Sequence, residues 1–308
     1  MDVQLITFGA FAFFWGACWG SFTNVLIHRI PLDMSVVSPP SACPKCERPI
    51  RWYENIPILS YIFLRAKCAG CSTSISLRYP LIEATAGAWS LALAMRHLWP
   101  VWSQPELWID DLSPLLQAVG GWLWLEAFVC ALIAITFIDL EFTFIPDELS
   151  IPMILIGCLG GFTLTMNQPL EHFWGMVGGW GVILCIRWIG WLLFRREAMG
   201  LGDAKLLSLI GVFLGWRVIP WILFASAVQG IIAAGVAIAY TKYTGRTNAL
   251  TLTSAELEEI FGEEGVYPSD KVHVVIPYGP FLCLAAFEVL MIGPQALLSW
   301  WVEWLMYP

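Results

Sequence analysis

The chain alternates long apolar runs with short polar breaks. A membrane-spanning helix needs about 20 mostly apolar residues. Runs of that character fall at 5–27, 80–99, 115–138, 150–166, 173–194, 204–216, 218–241 and 277–305. The pattern predicts an all-α polytopic membrane protein with about eight transmembrane helices. The runs at 150–166 and 204–216 are short, and the second is either a half-length helix or part of its neighbour. One long polar stretch, 28–79, interrupts the series after the first run. The organisation therefore reads as a first helix at 1–27, a small domain at 28–79, and a membrane core at 80–308 carrying an acidic loop at 243–275.

Composition agrees with the pattern. Of 308 residues, 58% are hydrophobic and 13% charged, where soluble domains average roughly 45–50% and about 25%. The net charge of -8 argues against a nucleic-acid partner, which needs clustered Lys and Arg. Residues 1–4 carry no positive charge, and His28 and Arg29 follow the first apolar run. A cleavable signal peptide has the opposite polarity, so the first run is expected to stay as a span with its N-terminus outside the cytoplasm. Arg29, Lys45, Arg48, Arg51, Arg65, Lys67 and Arg78 lie in 28–79, Arg195, Arg196 and Lys205 in 195–205, and Lys242, Arg246 and Lys271 in 242–276. Eight alternating spans put all three loops on one side. The opposite loops hold Arg96 and Arg217. The bias predicts cytoplasmic large loops, with both termini outside.

Two acidic stretches sit at the cytoplasmic ends of apolar runs. One is Met199-Gly200-Leu201-Gly202-Asp203-Ala204-Lys205; the other runs from Ile138-Asp139-Leu140-Glu141 to Pro146-Asp147-Glu148. An aspartate at the edge of hydrocarbon is costly to keep ionised and marks a function. Gly200 and Gly202 clear side chains from beside Asp203 and allow a close backbone approach. Asp139 and Asp203 are read as a pair. Two adjacent carboxyls share a proton, so one takes a proton from water while the other donates to a carbonyl. The bland alternative is that Asp203 caps a helix. Asp147 is a second candidate partner for Asp203, and spacing alone does not choose between it and Asp139. Lys205 either pairs with one of these carboxylates or faces the interface.

Cys43-Pro44-Lys45-Cys46 and Cys68-Ala69-Gly70-Cys71 are two C-x-x-C hairpins with 21 residues between them. The spacing is close to that of a four-thiolate zinc ribbon, whose filled shell makes the metal structural. The rival is a pair of redox disulfides, which a reducing cytoplasm disfavours. Cys18, Cys130, Cys158, Cys185 and Cys283 fall in apolar runs and are expected to pack as small apolar residues.

These motifs resemble the bacterial type IV prepilin peptidases, intramembrane aspartic proteases of the GxGD type. The resemblance is carried by Gly20-Ser21-Phe22-Thr23-Asn24-Val25 with His28-Arg29-Ile30-Pro31, and by Cys43 to Cys71 with Glu54-Asn55-Ile56-Pro57. It continues through Arg78-Tyr79-Pro80-Leu81-Ile82-Glu83, Ile138 to Asp147, Gly200 to Lys205, and Ile276-Pro277-Tyr278-Gly279-Pro280-Phe281. It implies removal of a basic leader from prepilins or pseudopilins at the cytoplasmic face, followed by N-methylation using S-adenosylmethionine. It also implies that Asp139, not Asp147, pairs with Asp203. The acidic mouth of Asp139, Glu141, Asp147 and Glu148 would then suit a basic leader. Ala204 departs from the family, where an aromatic is usual. The loop 243–275, with Glu256, Glu258, Glu259, Glu263 and Glu264, is more acidic than the family leads one to expect; it is either a partner-docking helix or a solvated loop. No glycine-rich fingerprint marks a methyl-donor site. The alternatives are an ion-coupled transporter using intramembrane aspartates and a non-catalytic pilus or secretion assembly factor.

Overall fold

The structure is a computed structural model that describes residues 3–164, 169–195, 199–244, 251–252, 273–274 and 277–293, together with 296 and 299. The expected acidic loop at 243–275 and the end of the last predicted span lie largely outside the described residues. The chain forms two compact units, Met1–Trp216 and Arg217–Pro308.

The first unit begins with α1 (Val3–Arg29), whose last turn carries His28 and Arg29. The polar segment follows and contains a single short helix, α2 (Leu59–Phe63). Then come α3 (Arg78–Leu93), a wide turn at Ala94–Leu98 and α4 (Trp99–Trp102). After them lie α5 (Ser113–Phe142), α6 (Asp147–Thr163), α7 (Pro169–Phe194) and α8 (Leu201–Leu214). In the second unit, α9 (Ile219–Thr244) and α10 (Gly279–Ile292) flank a two-residue antiparallel ladder that pairs Thr251 with Val274. There Gln229 Nε2 donates to Glu288 Oε1 at 2.7 Å, and the Ser226 and Tyr278 hydroxyls lie 2.6 Å apart.

A helix stands at each of the eight predicted places. Among the described residues, four helices are long and apolar enough to cross a membrane: Val3–Leu32, Ser113–Phe142, Pro169–Leu193 and Trp216–Thr244. Their outward faces stay apolar: Trp188, Trp191, Leu192 and Leu193 of α7 are exposed. Such a surface suits lipid rather than water.

Contacts between small residues bring the helices together, as expected where lipid removes the hydrophobic drive for association. A Cβ on Gly16 of α1 would lie 2.2 Å from Ser90 Cβ of α3, and one on Gly20 would lie 2.7 Å from Glu83 Cα. The α7–α8 crossing is closer still. A Cβ on Gly211 would fall 2.1 Å from the Gly175 carbonyl oxygen, and one on Gly179 would fall 2.4 Å from that of Leu207. The apolar core of the first unit is built around α5, buried along most of Trp122–Asp139. Phe213 of α8 stacks on Phe128 at 4.4 Å and on Trp124 at 4.6 Å, a geometry that adds to plain burial.

Candidate active site and four-cysteine centre

Asp139 is buried one turn before the end of α5. The helix stops at Thr143, whose left-handed backbone (φ 57°) lets its N–H close back on the Asp139 carbonyl at 2.9 Å. This is the one-bond form of a left-handed helix stop. Asp203 is the third residue of α8, half-buried. Gly200 sits at the N-cap, and its backbone N–H is a hydrogen-bond partner of the Asp203 carboxylate. That is one half of a capping box, in which Gly200 and not Asp203, the bland alternative, takes the N-cap position. It leaves acceptor capacity on the carboxylate for other partners.

Contacts at both ends of α8 fix its level against α5. Its far end stacks through Phe213 on Phe128. Its near end meets the loop that follows α5, where a Cβ on Gly202 would touch Ile145 Cβ at 3.3 Å. The two helices are therefore antiparallel. Asp139 lies about 16 Å along α5 from Phe128, and Asp203 about 15 Å along α8 from Phe213, at 1.5 Å per residue. Both carboxylates are brought to one end of the helix group, at one level. Arg187 of α7 steadies the approach to α8, donating to the Met199 carbonyl at 3.2 Å.

Two of the remaining carboxylates are engaged by cations, and Lys205 takes the first of its two expected roles. Lys205 pairs with Asp147, tying the first turn of α8 to that of α6. Asp147 is the first residue of α6, and Pro146 holds the N-cap without a side-chain bond. Glu141 pairs with Arg78 of α3, whose guanidinium also lies over the Phe137 ring at 5.1 Å. Two members of the expected acidic mouth are thus matched by cations of the same chain. Sequence reasoning passed over Arg78, Arg187 and Ile145 as site residues. Arg187 had a signal, being a lone cation in the apolar run 173–194; the others had none beyond loop charge.

The four cysteines converge. The Sγ atoms of Cys43, Cys46, Cys68 and Cys71 all lie within 4.8 Å of one another, and every one is free of disulfide bonding. Across the two hairpins Cys43 and Cys71 are 3.8 Å apart, and Cys46 and Cys68 are 4.0 Å apart. Tetrahedral zinc with bonds of about 2.3 Å puts its sulfurs about 3.8 Å apart, so the residues fit that ion. The hairpins are built alike. Cys43 N–H donates to Arg48 and Glu47 N–H to Cys43; Cys68 N–H donates to Thr73 and Ser72 N–H to Cys68. Glu47 and Ser72 both adopt positive φ to turn the chain. The backbone N–H groups of Cys46 and Lys45 pull the Cys43 thiol down to about 6, and those of Cys71 and Gly70 lower that of Cys68, whereas at Cys46 the lowering by the Arg48 backbone is outweighed by burial and the other three thiols, which push it up to about 11. Thiolates are what a metal requires.

Comparison with known proteins bears on both centres. Residues 14–97 match the Bacterial Peptidase A24 N-terminal domain, and residues 127–235 match the Type IV leader peptidase family. A Prepilin leader peptidase/N-methyltransferase of Myxococcus xanthus (strain DK1622) is 33% identical, over 93% of this chain and 91% of that protein. The chain belongs to the type IV leader peptidase family. Proteins of the same name from Aeromonas hydrophila and Neisseria gonorrhoeae are 31% and 35% identical, covering 92% and 71% of this chain and 90% and 78% of theirs. No solved structure matches the chain. Both aspartates fall within the leader peptidase segment, and all four cysteines within the N-terminal one.

Proposed function

We propose that the chain is a prepilin leader peptidase and N-methyltransferase of the bacterial inner membrane, in which Asp139 and Asp203 form the proteolytic pair. The substrates are prepilins or pseudopilins, cut at the cytoplasmic face. Family membership supports the activity. One observation supports the assignment of residues: α5 and α8 run antiparallel, with both carboxylates at one level and one end, beneath the Ile145–Gly202 contact.

Leader removal needs a water made nucleophilic and a carbonyl made electrophilic. One aspartate, ionised, takes a proton from the water. The other, protonated, donates to the scissile carbonyl oxygen, and the shared proton is redistributed as the amine leaves. Gly200 leaves the approach to the Asp203 carboxylate clear of side chains, and Gly202 admits the Ile145 side chain beside it. Lys205, Asp147, Arg78 and Glu141 hold the helix ends that carry the pair. Zinc, when bound by Cys43, Cys46, Cys68 and Cys71, supplies cross-linking of the polar segment and no chemistry. S-adenosylmethionine is the methyl donor that the family resemblance implies. No cradle for it stands out among the described residues, and no step is derived through it.

Co-expression with a prepilin, reading leader removal on a gel, tests the assignment. Asp139→Asn and Asp203→Asn each abolish cleavage while folding and zinc content persist. Both together cost no more than either alone, because residues acting as a unit are non-additive. Asp147→Asn keeps substantial activity. A wild-type rate in Asp203→Asn overturns the pair.

A further inference from the structure

The polar segment between α1 and α3 carries an apolar face that its composition hides. Leu59, Ile62 and Phe63 of α2 follow helical spacing and are all exposed, Phe63 at 79%. The turn at 52–54 packs beside α2 and adds Trp52, 81% exposed, in an edge contact with Tyr53 at 5.7 Å. Nothing in the four-cysteine hairpins uses this face.

The depth of α2 is set by one hydrogen bond. The N–H of Ile58, the residue before α2, donates to Glu83 Oε2 of α3 at 2.7 Å. Glu83 is buried against Gly20 of α1. The end of α1 carries the exposed His28 beside a buried Arg29 that donates to the Ser35 and Pro39 carbonyls, and the start of α3 carries Arg78. Such clusters of cations at helix ends mark the headgroup level. Gly20 lies about 14 Å along α1 from Arg29, and Glu83 about 7 Å along α3 from Arg78, at 1.5 Å per residue. Glu83 thus lies within two turns of the charged level, and its hold on the Ile58 N–H keeps the start of α2 close to that level. The flanks of the patch are basic: Arg51 precedes Trp52, and Arg65 and Lys67 follow α2. Aromatic and aliphatic side chains bordered by Arg and Lys are what the interface between hydrocarbon and headgroups favours.

We infer that α2 and the 52–54 turn form an in-plane foot that sits in the bilayer surface. Leu59, Ile62, Phe63 and Trp52 contact lipid, while Arg51, Arg65 and Lys67 reach the headgroups. The occupant of the face is lipid rather than a protein because both ends of the segment, and Ile58 in its middle, are fastened to membrane helices. The four-cysteine hairpins are thereby held at a fixed height over the bilayer. This reading does not depend on which residues perform catalysis.

The test uses full-length protein in nanodiscs of phosphatidylethanolamine and phosphatidylglycerol. The photo-crosslinker p-benzoylphenylalanine is placed at Phe63, at Ile62, or at Glu47 on the cysteine hairpin. Zinc content reports that each protein is folded. Mass spectrometry after irradiation is expected to find phospholipid adducts at 62 and 63 in several-fold excess over 47. Equal lipid yield at 47 and 63 overturns the inference. So do crosslinks from 62 and 63 that run to another protein or to residues 245–276 of this chain.

Discussion

Gly211→Ala should disable the enzyme from a distance. Gly211 lies on α8, well away from Asp203 along the helix, and touches neither aspartate loop. Its added Cβ would stand 2.1 Å from the Gly175 carbonyl oxygen, where ordinary contact begins at 3.4 Å. The obstacle is backbone, so no side chain can rotate aside, and α8 must retreat from α7 by about 1.3 Å at that point. The next contact along the crossing, Gly179 against the Leu207 carbonyl, still grips. It acts as a pivot. Residue 211 lies about 6 Å beyond Leu207 and Asp203 about 6 Å before it, at 1.5 Å per residue. Equal arms turn a retreat at 211 into a comparable shift at Asp203, on the order of 1 Å. A misplacement of that size costs about 10²-fold in rate, while overpacking costs only about 1–3 kcal/mol of stability. The assay is initial cleavage rate of a prepilin by purified protein, beside thermal unfolding. Gly181→Ala is the control, since a Cβ there meets nothing within 4 Å. Wild-type cleavage by a folded Gly211→Ala protein, or an equal loss in Gly181→Ala, refutes the lever.

Purified protein should hold one zinc per chain by elemental analysis, and Cys68→Ser should lower it; metal-free protein of normal stability would exclude a structural metal. An impermeant thiol reagent added outside should label a cysteine placed at Glu106 above the background of the native thiols and should not label one at Thr247; the reverse pattern would invert the topology. The Arg48 ion pair, and then the Arg51 N–H, hold the Glu54 carboxyl below its usual range. A carboxyl lowered by folding stabilises above its unfolded pKa and loses that contribution as pH falls through the folded value. The acid limb of the stability profile should therefore flatten in Glu54→Gln, with no change at its base if the pair contributes nothing.

The sequence made four long helices legible because each run is apolar throughout and about 20 residues or more. The runs 5–27, 115–138, 173–194 and 218–241 stand as α1, α5, α7 and α9 to within a few residues. The ends of α6 and α8 were harder to read. Their lengths are set by what they pack against, Trp124 and Phe213 for α6 and Gly175 and Gly179 for α8, and hydropathy does not register a neighbour. The cysteine cluster was legible because ligand spacing is local. The ion pair Arg78–Glu141 was not, because it joins residues far apart in sequence and a charge count treats both as loop charge, while for Lys205 the sequence offered a carboxylate partner without singling out Asp147. The five-residue α2 is shorter than any period that a sequence window can resolve.

Those two ion pairs change what the acidic mouth is for. An exposed pair contributes about 0–1 kcal/mol, so neither holds the fold together. Their value lies in placement. Lys205 is two residues beyond Asp203 and grips the start of α6; Arg78 grips Phe137 and Glu141, which stand two residues either side of Asp139. On a helix, positions two apart point to roughly opposite sides. Each cation therefore fastens the side of the turn away from the aspartate. Carboxylates that seemed set to attract a basic leader are engaged in fixing the two turns. The field that draws a cationic peptide is left to Glu148 and to the chain's net charge of -8, and fields of that kind govern how fast a partner arrives more than how tightly it is held.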